Sequence, residues 1–148
     1  MKVARVVLLD ASPSQVWTVL WDVPRMVACV PGCVEAREVE PGRRWEARMT
    51  QRVGPFTLSV PLVVEADDVE APRRLALSAS GRDPIVGASV SMRVALGLEP
   101  EASGTRLTVD ADARVLGKLG ALGHGVIQRK AEESLEEFLA CLRRTLEA

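Results

Sequence analysis

The scarcities of this chain narrow its function more than its abundances do. Aromatic side chains are few: three Trp, two Phe and no Tyr in 148 residues. Rings are the bulkiest core fillers, so an interior enclosed by this chain is filled by aliphatic residues or stays partly open. There is one histidine, His124. Acid–base catalysis near neutral pH therefore has a single obvious candidate, and no Ser-His-Asp or Cys-His arrangement can be read from the spacing. Neither charge dominates: 19 basic against 20 acidic residues leave a net charge of -1. That removes the basic face on which nucleic-acid binding depends. No apolar run approaches the roughly 18 residues of a membrane helix. The opening MKVARVVLLDAS is too short in its apolar part for a secretory signal and runs straight into a helix cap, so a cytoplasmic protein is expected. Cys29, Cys33 and Cys141 make an odd, low count, which in a non-secreted chain argues for free thiols.

Apolar residues make up 47% and charged residues 26% of the chain, ordinary values for one globular domain over residues 1–148. The richest stretch is SPSQVWTVLWDVPRMVACVPGC, residues 12–33. Ser12-Pro13-Ser14-Gln15 reads as a helix start, with Ser12 as cap, Pro13 at the first helical position and Gln15 closing a capping box. Asp22-Val23-Pro24 repeats the signal, and Pro31-Gly32 stops the second helix. The expected order is a strand at 3–9, helices at 13–21 and 23–29, then five or six strands. Their turns are expected at Glu40-Pro41-Gly42, Gly54-Pro55, Asp67 to Pro72, Gly81 to Pro84 and Pro100 to Gly104.

These strands alternate with period two. Trp45, Ala47, Met49, Gln51 and Val53 share one face, as do Phe56, Leu58, Val60, Leu62 and Val64. Val86 to Leu98 and Leu107 to Val115 repeat the pattern, which predicts an antiparallel sheet covered on one side. The cover is an amphipathic helix over about 118–146, with Leu119, Leu122, Val126, Ile127, Leu135, Phe138, Leu139 and Leu142 spaced by three and four. Such a helix spans roughly 40 Å. Small residues occupy both opposing surfaces: Ala47, Ala79, Ala88, Ala111 and Ala113 on the sheet, and Gly117, Gly120, Gly123 and Gly125 around the helix start. With so few rings to compensate, a cavity of roughly 300 to 1,000 Å³ is expected. The other outcome is a closer approach of helix and sheet.

A resemblance follows from particular residues. Ala11-Ser12-Pro13 with Val16-Trp17 and Leu20, Asp22-Val23-Pro24, Cys29-Val30-Pro31-Gly32-Cys33, Val53-Gly54-Pro55, Gly104-Thr105-Arg106-Leu107 and Leu116-Gly117-Lys118-Leu119 resemble the carbon monoxide dehydrogenase G-subunit family of the START-like (SRPBCC) superfamily. The resemblance covers essentially the whole chain. It implies an α+β helix-grip fold, with a curved seven-stranded antiparallel sheet around a long C-terminal helix and two short helices between the first two strands. It also implies an accessory role beside a molybdenum-containing carbon monoxide dehydrogenase or related hydroxylase, in membrane recruitment or in handling a quinone-like molecule. Some members end in an apolar anchor. This chain stops at Ala148, so a cavity role is expected rather than direct anchoring, with any membrane placement peripheral and through a partner.

Duller readings compete for several motifs. Gly117-x-x-Gly120-x-x-Gly123 precedes a helix but is neither a dinucleotide nor a P-loop pattern. Cys29 and Cys33 with His124 could ligate zinc, yet a fourth ligand is missing. Trp17 and Trp21 share one helix face and read first as core. Gln51 is the polar residue on an inward strand face, which makes it the candidate for orienting a ligand.

The resulting expectation is a binding protein without catalytic residues, cofactor or metal. A hydrophobic, quinone- or lipid-like molecule sits between sheet and helix, lined by Val27, Met49, Gln51, Val60, Met92, Gly120, Gly123, His124 and Ile127. Val30, Pro31 and Gly32 gate the site. An assembly module with a filled interior and a small START-like cyclase or hydrolase are the alternatives.

Overall fold

A computed structural model describes residues 1–117 and 121–147. In chain order it contains β1 (Lys2–Leu9), α1 (Pro13–Trp21), α2 (Val23–Ala28), β2 (Cys33–Glu40), β3 (Arg44–Val53), β4 (Phe56–Glu70), β5 (Arg74–Asp83), β6 (Ala88–Glu101), β7 (Gly104–Gly117) and α3 (His124–Glu147). The strands form one antiparallel sheet in the order β1-β7-β6-β5-β4-β3-β2. Strands β2 to β7 follow one another as a meander, while β1 lies beside β7 at the far edge. The chain must therefore cross from one edge to the other between β1 and β2, and α1 and α2 make that crossing. This is the helix-grip architecture.

The local signals act as chemistry requires. Ser12 and Gln15 close the capping box on α1: the Gln15 amide donates to Ser12 Oγ at 3.2 Å, and the Ser12 amide donates to Gln15 Oε1 at 2.9 Å. Asp22 precedes α2 but its side chain caps nothing. Its own amide is still finishing α1 by donating to Val19. Pro24, just inside α2, also removes one amide that a cap would serve. Trp17 and Trp21 stack at 6.0 Å, and Trp21 meets the buried Trp45 edge-on at 6.0 Å.

Four expectations need correction. Strand β4 runs on through Asp67 and Asp68 to Glu70, over a bulge between Ala66 and Asp68, so the turn is confined to 71–73. The acidic residues are exposed, and solvent-facing polar side chains do not interrupt a ladder. Similarly β5 passes Gly81 and ends at Asp83, with the turn at 84–87. Helix α3 begins at His124, not at 118: Gly123 has φ +91°, outside helical space. Lys118, Leu119 and Gly120 lie outside the described residues.

The fourth correction concerns the thiols. Cys29, at the end of α2, is joined to Cys141 on α3 by a disulfide, leaving Cys33 free and buried. The two partners are 112 residues apart, and only the tertiary fold brings them together. The bond also takes Cys29 out of any zinc set. Among the described residues, no helix is long and apolar enough to cross a membrane.

Candidate functional site

The sheet is packed very differently at its two ends. Near α1, the inward row Leu75–Leu96–Val109 runs across β5, β6 and β7 and is 1%, 6% and 1% exposed. It packs with Leu98, Leu107, Leu139 and Leu142. Four residues along each strand, the row Ala79–Met92–Ala113 is only half-buried. The rows beside it, Leu77–Val94–Ala111 and Gly81–Val90–Val115, are half-buried as well. These are inward positions with too little bulk to close the space under α3.

Two hollows flank the first turns of α3. One, of about 270 Å³, is bounded by Met1, Ala113, Arg114, Val115, Gly123, His124 and Ile127. The other, of about 230 Å³, is bounded by Arg52, Val53, Gly54, Val126, Arg129, Lys130 and Glu133. Each is smaller than the roughly 300 Å³ floor expected for a drug-sized pocket. Among the described residues, these two hollows lie on either side of the first turns of α3.

The residues expected to line a ligand divide into groups. Gly123, His124 and Ile127 share the larger hollow. His124 is exposed and is the first residue of α3. Val60 is fully buried in a cluster with Cys33, Val53, Leu58 and Leu62, against which Val27 and Met49 pack half-buried. Met92 lies between Ala79 and Ala113 in the half-buried row. Gly120 falls outside the described residues.

Gln51 and the expected gate turn out to be one device. Gln51 Nε2 donates to the Pro31 carbonyl, so that group serves the turn rather than pointing freely inward. The Thr50 amide donates to the Gly32 carbonyl at 2.9 Å, and Cys33 pairs with Met49. Gly32 has φ +80°, and a Cβ there would overlap the Thr50 carbonyl oxygen. With the Cys29–Cys141 bond just upstream, Val30-Pro31-Gly32 is tied to β3 through Thr50 and Gln51.

Burial pushes the Cys33 thiol up to about 11, so it is protonated and unreactive at neutral pH. Asp83 closes the β5–β6 turn. Its carboxylate accepts from the amides of Ser59 at 3.0 Å, Val86 at 3.1 Å and Ile85 at 2.9 Å. Those bonds, Ser59 first, hold its carboxyl below the ordinary value. Among the described residues no group of His, Cys, Asp and Glu is placed to hold a metal ion. Arg52, Arg129 and Lys130 were not among the residues expected at a site. The spacing of Val126, Arg129, Lys130 and Glu133 marks one helix face, but nothing local places Arg52 opposite it.

The comparisons with known proteins agree with this architecture. The family model for the G subunit of carbon monoxide dehydrogenase (CoxG) matches residues 7–147, and the chain belongs to that family. A conserved protein from Geobacillus kaustophilus is similar in structure, with a TM-score of 0.88 at 19% identity over 99% of this chain and 95% of its own. The Zhui aromatase/cyclase from Streptomyces sp. R1128 superposes with a TM-score of 0.72 at 19% identity, over 99% and 93%. Ara h 8.0201 does so at 0.65 and 14% identity, over 100% and 99%. These likenesses establish the fold. No curated protein matches the sequence.

Proposed function

We propose that this chain is a non-catalytic accessory protein that takes up a hydrophobic, quinone- or lipid-like molecule between the sheet and α3. It serves a molybdenum-containing carbon monoxide dehydrogenase or related hydroxylase from the cytoplasmic side, at the membrane face when its partner is there. The observation that carries this reading is the half-buried row Ala79–Met92–Ala113 facing inward. Apolar surface left wet inside a fold is worth about 25 cal/mol per Å² to an apolar guest. Access runs along the flanks of α3, where the two hollows lie. Membership of the CoxG family supports the choice of partner.

The test is thermal unfolding with a short-chain quinone and with a neutral lipid analogue, alongside solvent extraction of the purified protein. A guest at about 100 times its Kd stabilises by about 2.7 kcal/mol, which raises Tm by roughly 5 to 10 °C. No retained molecule and no rise with either probe would sink the reading.

One observation favours the assembly-module alternative. The outer face of β1 exposes Val6 at 61% and Leu8 at 59%, an apolar patch suited to a protein partner. It predicts a stable complex with the hydroxylase that forms without ligand and is lost in Val6→Ser/Leu8→Ser.

A further inference from the structure

The two flanks of α3 carry different chemistry, and we infer that the hollow beside the β3–β4 turn holds the acidic head of a single-tailed amphiphile. The head is a carboxylate or a phosphate ester on an alkyl chain. The inference deepens the ligand-binding reading above and rests on it.

Arg129 and Lys130 lie one turn along α3 from Val126 on the same helix face, and Arg52 bounds the same hollow from β3. Glu133 is the single carboxylate on the rim, so three cations meet one anion there. Several other surface arginines are neutralised by a carboxylate: Arg5 holds Glu136 at 2.8 Å, Arg37 holds Glu46 at 2.9 Å, and Arg106 holds Glu101 at 3.0 Å. Among the described residues, no carboxylate comes within ion-pairing distance of Arg52, Arg129 or Lys130. Like charges gathered on one rim repel, and a bound anion relieves that repulsion, which a neutral carbonyl does not do. Lys130 is half-buried, so its ammonium has lost part of the water that would otherwise compete.

Val53 and Val126 are the apolar side chains that bound the hollow. Val53 is 8% exposed and belongs to the cluster of Cys33, Leu58 and Val60, on which Val27 and Met49 pack. A charged rim over an oily base matches the two ends of an amphiphile. The hollow accepts the head and the first methylenes, and the tail lies against Val53 and Val126.

Titration calorimetry on the full chain, with dodecanoate, dodecyl phosphate and dodecan-1-ol below their micellar concentrations, tests this. Both anions bind at least about tenfold tighter than the alcohol. Arg129→Gln with Lys130→Gln brings them down to the alcohol and leaves the alcohol unchanged, while Arg106→Gln alters none of the three. Added salt weakens the anions alone. Equal affinity for acid and alcohol overturns the inference and leaves the ligand-binding reading standing. Failure of all three probes to bind overturns the inference, and the quinone and neutral-lipid melts decide the ligand-binding reading separately. Retention on phosphatidylglycerol vesicles without uptake of free dodecanoate also overturns it, in favour of docking on a lipid surface.

Discussion

Leu75–Leu96–Val109 and Ala79–Met92–Ala113 cross the same three strands, about 13 Å apart. Both rows obey the same alternation and face the same helix layer. One is closed and the other is not. The closed row meets Leu139 and Leu142 from the C-terminal half of α3, while the open row lies at the end where α3 starts with His124-Gly125 after Gly123 and offers Ile127. The inside of a sheet is thus decided by periodicity, but whether it is filled depends on the bulk supplied from both layers. This molecule concentrates its stability in one half and its free volume in the other.

That contrast can be sharpened at its strongest point. Leu142 is fully buried, so Leu142→Ala should cost about 3 to 5 kcal/mol in urea unfolding. Ile127→Ala, at the open end, should cost under half as much. Equal losses would break the comparison. Next in size is the Cys29–Cys141 bond, which ties the closed half of α3 to α2. Cys29→Ser with Cys141→Ser should lower stability by about 2 to 4 kcal/mol, and a reductant should do the same to the natural chain and nothing to the variant.

A smaller effect has the greater diagnostic value. Ala113→Leu adds bulk to the half-buried row. It should change stability by less than about 1 kcal/mol and abolish the ligand-dependent rise in Tm. A filled interior would instead lose about 1 to 3 kcal/mol through overpacking. The smallest effect belongs to Asp83, the polar clamp of the open end. Its folded pKa lies below the ordinary 3.8. Its contribution is therefore present above about pH 4 and is lost as pH falls through the lowered value. Asp83→Asn should flatten the acid limb of the stability profile, read from urea unfolding between about pH 2 and pH 5.

Much of the architecture was legible along the chain. The Ser12–Gln15 box, Pro13 and the bounds of α1 are local effects, and period-two alternation assigned the inward faces of β3, β4, β6 and β7. Turn positions were less legible at 67–72 and 81–84, because acidic and glycine residues that suggest a turn also tolerate exposed strand. The site was legible only in part. His124 and Ile127 share one face of α3 and Gly123 directly precedes them, so their grouping needed no tertiary information. Gln51 was read as polar and inward, which is right, but its partner is the carbonyl of Pro31, 20 residues back.

By itself the sequence determined the order of elements, the buried side of each strand and the shortage of bulk that leaves the middle rows half-wet. These follow from backbone periodicity and side-chain volume, which act between near neighbours. Folding in three dimensions decided the Cys29–Cys141 pair, the pinning of Val30-Pro31-Gly32, the clamp at Asp83 and the meeting of Arg52 with Arg129 and Lys130. Each of these brings together residues on different elements, and only the angle and height at which α3 and the turns cross the sheet make them neighbours.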